Sequence, residues 1–431
     1  MIIGILKGYM SYPVVDTVIS FLLILMITYC LIRLFNIEEK IPKAFVFLLM
    51  ALSPIVSSTL LFHYCSIGYF IAFLCGILSV LIYYEAKNKY IKYIAPIVFI
   101  VISLSMYQAY LSLIVTVFML YQIKLLLNQK MNYKQSGIYL LLLIGGVLSY
   151  FICMKLSQFV FHIDMASYSN ANRIGISTLL QIPSKFIESY RLFFEMYFGN
   201  TITKNTYLWN PILYTWIGVI FLVSLGIQLW NSKMNWKEKV LVCVLVLLIP
   251  VFLNSVIFVI ADAKLQLLMS ASYLVFLVYL VSFSYPKKVP IVVFILFGIL
   301  LRNYFIQDQA TYLTLDHTYQ AYKTVIGQAI QNNYDKKFIT VGEIHNNDTS
   351  ITNYNYGYIS DDGIFWDEYH LRKLGFERFC SQAFGVSLSY GDESVDLYAR
   401  GLPSTDVIYE FEDTIIINLS SVGGETVEEN S

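Results

Sequence analysis

Two arginines in the segment Phe161–Tyr207 have the chemistry that a phosphate-binding site needs. A guanidinium group binds phosphate through two parallel N–H donors. Arg173 is flanked by Asn172 and Gly175, which is typical of a shaped loop. For Arg191 the alternative, contact with ordinary phospholipid headgroups, is favoured slightly more than for Arg173. We predict that both arginines contribute to substrate binding.

A polar step separates two apolar runs at Ser105-Met-Tyr107-Gln108-Ala-Tyr110. A glutamine at the edge of a bilayer must find hydrogen-bond partners, because an unpaired amide is costly there. Gln108 therefore either joins helices or lines a cavity. Tyr107 and Tyr110 alone would be typical of the aromatic belt at a membrane interface. Tyr107 and Gln108 are the second pair of candidate substrate-binding residues.

Asp16 is the one acidic residue that lies inside an apolar run near the outer face of the predicted membrane. Carboxylates inside a membrane are functional candidates by default. Asp16 is only about one turn inside its run, so a solvated helix end is an equally good interpretation. The six cysteines show no metal-ligand spacing, and the sequence predicts no metal site. No cofactor is identified, and the requirement for a divalent cation is left open.

The composition indicates which elements must position these residues. The 431 residues are 57% hydrophobic and have a mean hydropathy of +0.63, which excludes an ordinary soluble protein. The zero net charge hides a split, since residues 1–304 hold 22 Lys and Arg against 9 Asp and Glu, and residues 305–431 hold 7 against 20. We predict a multispanning membrane domain over 1–304 and an acidic soluble domain over 305–431. The basic residues are scattered between apolar runs, which argues against a nucleic-acid partner.

Ten apolar stretches have spanning or near-spanning length. They lie at about 12–35, 42–62, 66–84, 91–106, 107–127, 137–160, 208–230, 239–260, 265–283 and 288–304. The sequence thus predicts a polytopic α-helical membrane protein with about ten transmembrane helices, some of them tilted or broken.

Lysine and arginine are concentrated in alternate loops. Two or three of them lie in each of Arg33–Lys43, Glu85–Lys92, Lys124–Lys134, Lys233–Lys239 and Lys287–Lys288. Since cytoplasmic loops carry the excess of Lys and Arg, these five loops are predicted to face the cytoplasm, which leaves both chain termini extracytoplasmic. The segment Phe161–Tyr207 fits this pattern least well, because it holds four Lys or Arg beside three acidic residues.

Patterns outside the spans predict further elements. The apolar spacing within Ile176–Met196 predicts an amphipathic helix on the membrane surface, either as a cover for the bundle or as a platform beside a lipid-facing site. In the tail we predict a helix over Thr311–Ile330, strands over Lys337–Val341 and Thr414–Leu419, and a short helix over Trp366–Leu374. The tail is therefore predicted to be a small extracytoplasmic α/β domain.

Several short motifs occur in a recognisable order along the chain. They are Leu6–Pro13, Leu52-Ser-Pro54, Phe62-His-Tyr64 followed by Tyr69, Ser103–Tyr110, Tyr168–Gly175 and Leu402-Pro403 before the last strand. This order resembles the GtrII-type glucosyltransferases, a family of polytopic bacterial proteins that modify surface polysaccharides such as O-antigen. The resemblance covers essentially the whole chain. Each motif alone has modest specificity, and the ordered set is more persuasive.

The resemblance implies a GT-C-like membrane glycosyltransferase of a bacterial inner membrane. Such an enzyme would take a sugar, here glucose, from a polyprenyl-phosphate carrier and transfer it to a surface polysaccharide on the outer face. A carboxylate that acts as general base on the acceptor hydroxyl would be expected. The resemblance also adds Tyr64 and Asn170 to the substrate-binding candidates.

The chain departs from the family at its N-terminus. Members of the family carry one more helix, followed by an outer loop with acidic residues and a Gly-Arg-Trp step, just before the point where this chain begins. GT-C enzymes commonly hold their catalytic carboxylate in that loop. We expect this segment to be missing in front of Met1, and the extracytoplasmic start indicated by the basic loops agrees with that expectation. No catalytic acid is carried over from the family, and these 431 residues alone are expected to have little activity.

Two other functions remain open at the level of sequence. A transporter or flippase for a lipid-linked sugar would need polar or charged residues along several helices near the middle of the bilayer. Such residues are nearly absent, which weighs against it. A non-catalytic membrane scaffold would position a partner through the acidic tail, and binding of that tail to polysaccharide or protein would distinguish it.

Overall fold

The computed structural model describes residues 13–61, 65–162, 181–198, 211–259, 269–283, 285–286, 289–331, 333–341, 376–377, 379–381, 383–391, 406–410 and 413–419. Most of these residues are helical. The helices are α1 (Pro13–Leu34), α2 (Lys40–Leu52), α3 (Pro54–Leu61), α4 (Ser66–Glu85), α5 (Lys89–Met106), α6 (Leu111–Leu127), α7 (Tyr133–Phe161), α8 (Ile182–Phe198), α9 (Pro211–Asn231), α10 (Trp236–Leu247), α11 (Ile249–Leu253), α12 (Ala271–Ser282) and α13 (Val289–Ile330).

Seven of the described helical segments are long and apolar enough to cross a membrane. They are α1, α4, α5, α6 with the 3-10 turn Gln108–Tyr110 before it, α7, α9 and the first part of α13. The chain is therefore a mostly helical protein with the spans of a multi-pass membrane protein. The sequence predicted about ten spans, and the difference lies in three predicted spans that the backbone breaks or shortens.

The predicted span 42–62 is divided into α2 and α3, which meet at an angle of 41°. Ser53 between them is extended, with φ −70° and ψ 129°. The cause is Pro54, because proline pushes the preceding residue out of the helical region and has no N–H to continue the hydrogen-bond ladder. An eighth crossing results if this bent pair is counted as one span.

The predicted spans 239–260 and 265–283 are also not single long helices. The first consists of α10, the five-residue α11 and the 3-10 turn Ser255–Phe258. The described helix of the second, α12, has 12 residues, fewer than the roughly 20 that a bilayer crossing needs. Mean hydropathy does not register a break in the backbone, which is why both stretches were counted among the ten predicted spans, some of which were expected to be tilted or broken.

The last predicted span and the predicted helix of the tail are one continuous element. Helix α13 has 42 residues and includes both 288–304, except its first residue, and Thr311–Ile330. The chain divides into two compact units, and this division falls inside α13, after Phe305. The first unit contains the apolar helices, and the second contains the sheet.

The structure brings four of the five basic loops to one end of the helix bundle. Arg33 and Glu85 form an ion pair with an N–O distance of 2.7 Å, which joins the first two loops. Lys124 interacts electrostatically with Glu38, and Tyr133 with Glu238, which adds the third and fourth loops. We call this the basic end of the bundle. The fifth loop, Lys287–Lys288, lies outside the described residues.

Close helix packing in the first unit depends on small residues. A Cβ atom on Gly146 in α7 would lie 2.8 Å from Cγ2 of Ile100 in α5. The neighbouring Gly145 has open space at the same position, with nothing within 4 Å. Small residues that let backbones approach are the usual device of helix association in membranes. Gly146 is thus a packing residue, and Gly145 is not.

The second unit contains a four-stranded sheet in the order β2-β1-β4-β3, formed by β1 (Lys337–Val341), β2 (Ser389–Tyr390), β3 (Ile408–Glu410) and β4 (Thr414–Asn418). Strand β1 is parallel to β2 and β4, and β3 is antiparallel to β4. The end of α13 packs on this sheet in a core that contains Tyr322, Ile326, Ile330, Phe338, Phe376, Cys380, Ile415 and Ile417. The strands predicted near 337–341 and 414–419 are confirmed, whereas the predicted helix Trp366–Leu374 lies outside the described residues.

Candidate functional site

The polar step between α5 and α6 is a real break in the helical backbone. Helix α5 ends at Met106, Tyr107 is extended with φ −154° and ψ 103°, and a 3-10 turn covers Gln108–Tyr110. Gln108 lies at the end of α5 that is opposite the basic end, about 27 Å away along an 18-residue helix. We call this the Gln108 end of the bundle.

The side chain of Gln108 joins two helices. Its amide Nε2 donates a hydrogen bond to the hydroxyl of Tyr150 in α7, and that hydroxyl lies 3.6 Å from the sulfur of Met154. Of the two alternatives open at the level of sequence, this contact supports the role in joining helices. It also holds the amide in a fixed place at the Gln108 end.

Tyr107 lies among other aromatic rings rather than alone in a membrane belt. Its ring centroid is 4.6 Å from that of Tyr69 in α4 and 5.0 Å from that of Tyr110. It also packs against a small apolar cluster that includes Ala109 and Leu192. Because Leu192 belongs to α8, the polar step and the helix that carries Arg191 are neighbours.

Arg191 is held on α8 by two acidic residues of the same helix. Its Nε lies 2.9 Å from Oε2 of Glu188, and its Nη1 lies 2.9 Å from Oε1 of Glu195. Nη2 of Arg191 also donates to Glu188, so the pair of Arg191 and Glu188 is bidentate. The hydrogen bonds from Arg191 lower the pKa of the Glu188 carboxyl below its usual value. Arg191, Glu188 and Glu195 together carry a charge of −1. This favours a role of Arg191 in positioning Glu195 over a role in binding phosphate.

Asn254 is a buried polar residue that the sequence analysis did not select. Its amide Nδ2 donates to the carbonyl oxygens of Ser189 in α8 and of Pro250 in α11, both at 3.0 Å. Its Oδ1 accepts a hydrogen bond of 2.9 Å from the hydroxyl of Tyr273 in α12. Its side chain is fully buried. One amide therefore joins three helices at the Gln108 end.

Hydroxyl groups satisfy the backbone where the stretch 236–258 is broken. The N–H of Val256 donates to Oγ of Ser112 in α6 at 2.7 Å, and Oγ of Ser272 donates to the carbonyl of Leu253 at 2.8 Å. A broken helix inside a membrane is stable only where neighbouring side chains take up the freed backbone groups. Breaks of this kind are typical of the places where membrane proteins bind substrates.

A family model described as Glucosyl transferase GtrII matches residues 2–285. The chain belongs to the GtrII glucosyl transferase family. The match covers 284 of the 431 residues, about two thirds of the chain, and over these residues it confirms the resemblance found in the sequence, whereas Leu402-Pro403 lies beyond the match. No curated protein and no solved structure matches the chain. Since the family is one of glucosyl transferases in a chain with several membrane-length helices, the protein is a membrane glycosyltransferase by family.

All the candidate residues lie inside the part of the chain that the GtrII family model matches. Tyr107 and Gln108 are adjacent, and Arg191 lies on a helix that packs beside them. Asp16 is 1% exposed in the first turn of α1, and one turn later Oγ of Ser20 lies 3.2 Å from Oγ of Ser66. Asp16 therefore remains a candidate carboxylate of this GtrII protein, as a buried group rather than a solvated helix end.

Three of the predicted substrate-binding residues, Tyr64, Asn170 and Arg173, lie outside the described residues and remain predictions. In the described ranges, no group of three or more His, Cys, Asp and Glu side chains is placed to hold a metal ion. The residue that the sequence analysis missed, Asn254, had a usable signal. It is a polar residue inside an apolar run and follows Pro250 by one helical turn, and polar residues in such runs are candidates by default.

Proposed function

We propose that this GtrII protein transfers glucose from a polyprenyl-phosphate carrier to a surface polysaccharide, in the inner membrane of a bacterium. The observation that carries the proposal is the match of a glucosyl transferase family to two thirds of a chain built of membrane-length helices. A sugar donor that lies in the bilayer needs an enzyme whose polar groups meet the lipid boundary. The break at Tyr107 and Gln108 supplies such groups.

The same proposal assigns the two faces of the membrane. The basic end, with Arg33, Lys124 and their neighbouring loops, faces the cytoplasm by the positive-inside rule. The Gln108 end then faces outward, both termini are extracytoplasmic, and the domain of residues 305–431 is available to a polymeric acceptor. The positive-inside rule assigns the segment Phe161–Tyr207 to the same side, and there Arg173 would bind the phosphate of the carrier through its guanidinium fork.

The test is a transfer assay with membranes from cells that contain or lack the full-length gene. Radiolabelled glucosyl polyprenyl phosphate and the polysaccharide of the host strain are supplied together, and UDP-glucose replaces the lipid donor in a parallel reaction. The proposal predicts label in the polysaccharide only with the gene and with the lipid-linked donor. Direct use of UDP-glucose, or equal labelling with and without the gene, would refute it.

A further inference from the structure

Four tyrosine side chains lie together between α8, α9, α12 and α13, and Glu195 lies on α8 two residues before one of them. The ring of Tyr197 lies 4.8 Å from that of Tyr214 and 5.6 Å from that of Tyr273, measured between centroids. The hydroxyls of Tyr214 and Tyr304 are 3.0 Å apart. Glu195 interacts electrostatically with Tyr273. We call these five residues the tyrosine cluster.

Most hydroxyls of the tyrosine cluster have a partner. The hydroxyl of Tyr273 donates to Asn254, and those of Tyr214 and Tyr304 bond each other. The hydroxyl of Tyr197 is different. Tyr197 is 6% exposed, and among the residues that the structure describes its hydroxyl has no hydrogen-bond partner. An unpaired buried hydroxyl costs about 1–3 kcal/mol, and a bound polar group at Tyr197 would remove that cost.

The chemistry of the cluster selects the kind of partner. Tyr197 stays neutral at physiological pH, because burial raises the pKa of its hydroxyl well above the ordinary value. It can therefore both donate and accept. Glu195 is the carboxylate with the smaller exposed side-chain fraction of the two that pair with Arg191, 21% against 34% for Glu188.

The two carboxylates also differ in the oxygens that remain free. Both oxygens of Glu188 accept from Arg191, whereas Glu195 uses Oε1 alone. A group that offers aromatic rings, a neutral hydroxyl and a carboxylate oxygen matches a molecule with several hydroxyls on a ring of C–H groups. A saccharide has this chemistry, and a phosphate or a metal ion does not.

We propose that the tyrosine cluster is a saccharide-binding subsite, in which Tyr197 bonds a sugar hydroxyl and Glu195 accepts from a second one at the rim. The choice of a saccharide rests on the proposed function. The sugar is that of the lipid-linked donor or that of the polysaccharide acceptor, since both present the same hydroxyls. Asn254 and Arg191 are positioning residues, the first through Tyr273 and the second through Glu195.

The experiment compares two matched tyrosine variants of the full-length protein in lipid nanodiscs. Tyr197→Phe removes the hydroxyl that we assign to the sugar. Tyr279→Phe removes another buried hydroxyl that has no partner among the described residues. Tyr279 lies on α12, but its ring contacts Phe35 and Phe283 and no member of the tyrosine cluster. Binding of D-glucose is measured by saturation-transfer NMR, and the thermal unfolding midpoint is measured without sugar.

We expect stability and binding to separate. Loss of an unpaired buried hydroxyl should leave the unfolding midpoint unchanged or raise it in both variants. Glucose binding should weaken about fivefold in Tyr197→Phe, as expected for loss of about 1 kcal/mol, and stay unchanged in Tyr279→Phe. Equal binding by the two variants, or the absence of any glucose signal with the wild-type protein, would overturn the proposal.

A second pair tests the rim. Glu188→Gln and Glu195→Gln each weaken the ion pair with Arg191, so any general effect of that pair is shared. Only Glu195→Gln should weaken glucose binding, by about tenfold, because a hydrogen bond to a charged group contributes more than a neutral one. Equal binding by both would remove Glu195 from the site.

Competition distinguishes the two sources of the sugar. Displacement of glucose by glucosyl polyprenyl phosphate identifies the donor sugar as the occupant, and displacement by a fragment of the surface polysaccharide identifies the acceptor. Displacement by neither would contradict the proposal. The NMR measurement needs no turnover, so a protein that binds glucose at the cluster but transfers none would refute the proposed function and leave the subsite standing.

Discussion

Replacing Asn254 by leucine should loosen helix α8 from the rest of the bundle. The substitution removes the two hydrogen bonds that Nδ2 donates, to Ser189 and Pro250, and the one that Oδ1 accepts from Tyr273. Hydrogen bonds between helices in membranes contribute about 0.6 kcal/mol each on average, and those in soluble proteins about 1 kcal/mol. The three bonds together amount to about 2–3 kcal/mol of stability, of which the bond to Ser189 on α8 contributes about 0.6–1 kcal/mol.

The assay is hydrogen exchange measured by mass spectrometry, with peptides from residues 182–198 in nanodisc-embedded protein. The bond to Ser189 is the one of the three that reaches α8. Loss of about 0.6–1 kcal/mol in this contact should speed exchange through opening of the helix about three- to fivefold. Ser272→Ala is the matched control. It removes the hydrogen bond to the carbonyl of Leu253, the residue next to Asn254, but it removes no bond to α8.

The outcome also has an internal check in a double-mutant cycle. Tyr273→Phe should cost less in the Asn254→Leu background than in the wild type, because the hydroxyl of Tyr273 has then already lost its acceptor. Exchange of residues 182–198 within twofold of the wild-type rate in Asn254→Leu, or equal acceleration by Ser272→Ala, would refute the assignment of Asn254 as the link to α8.

Two further predictions concern packing and the second unit. Gly146→Ala should lower the unfolding midpoint in detergent, since its Cβ would lie 2.8 Å from Ile100 and overpacking costs about 1–3 kcal/mol, whereas Gly145→Ala should leave it unchanged or raise it through helix propensity. Equal shifts in the two variants would contradict the packing at Gly146. Cys380 is fully buried, and burial raises the pKa of its thiol to about 12, so at pH 8 only about one thiol in ten thousand is the reactive thiolate. Iodoacetamide should therefore label Cys380 only after denaturation, and labelling at equal rates in the native and denatured protein would show that this core is not formed.

The sequence predicted those parts of the fold that repeat along the chain. Seven of the ten apolar stretches correspond to helices of membrane length, because hydropathy over about 20 residues measures the property that a bilayer selects. The sequence also predicted the polar step at Tyr107 and Gln108, because two polar side chains at a helix end interrupt the apolar run. The break in the stretch 236–258 was not located, because mean hydropathy over the stretch stays high in spite of Asn254 while the backbone bends.

Long-range partners could not be predicted from one sequence. Asn254 meets Ser189 across 65 positions of chain, and Gln108 meets Tyr150 across 42. No periodic pattern encodes such pairs, because they depend on how helices pack rather than on local spacing. The ion pairs of Arg191 could have been predicted from the sequence, because Glu188 and Glu195 stand at i,i+3 and i,i+4 spacing from it on one helix. Their effect is to turn a predicted phosphate ligand into a candidate positioning residue.

The side of the membrane on which the chain ends tests the central claim most directly. We propose that the Gln108 end and the C-terminus lie outside the cytoplasm, because the basic loops gather at the opposite end. Alkaline phosphatase and green fluorescent protein, each fused after Ser431, report this side in living cells. We expect an active phosphatase and a dark fluorescent protein, and the reverse result would contradict the proposed topology.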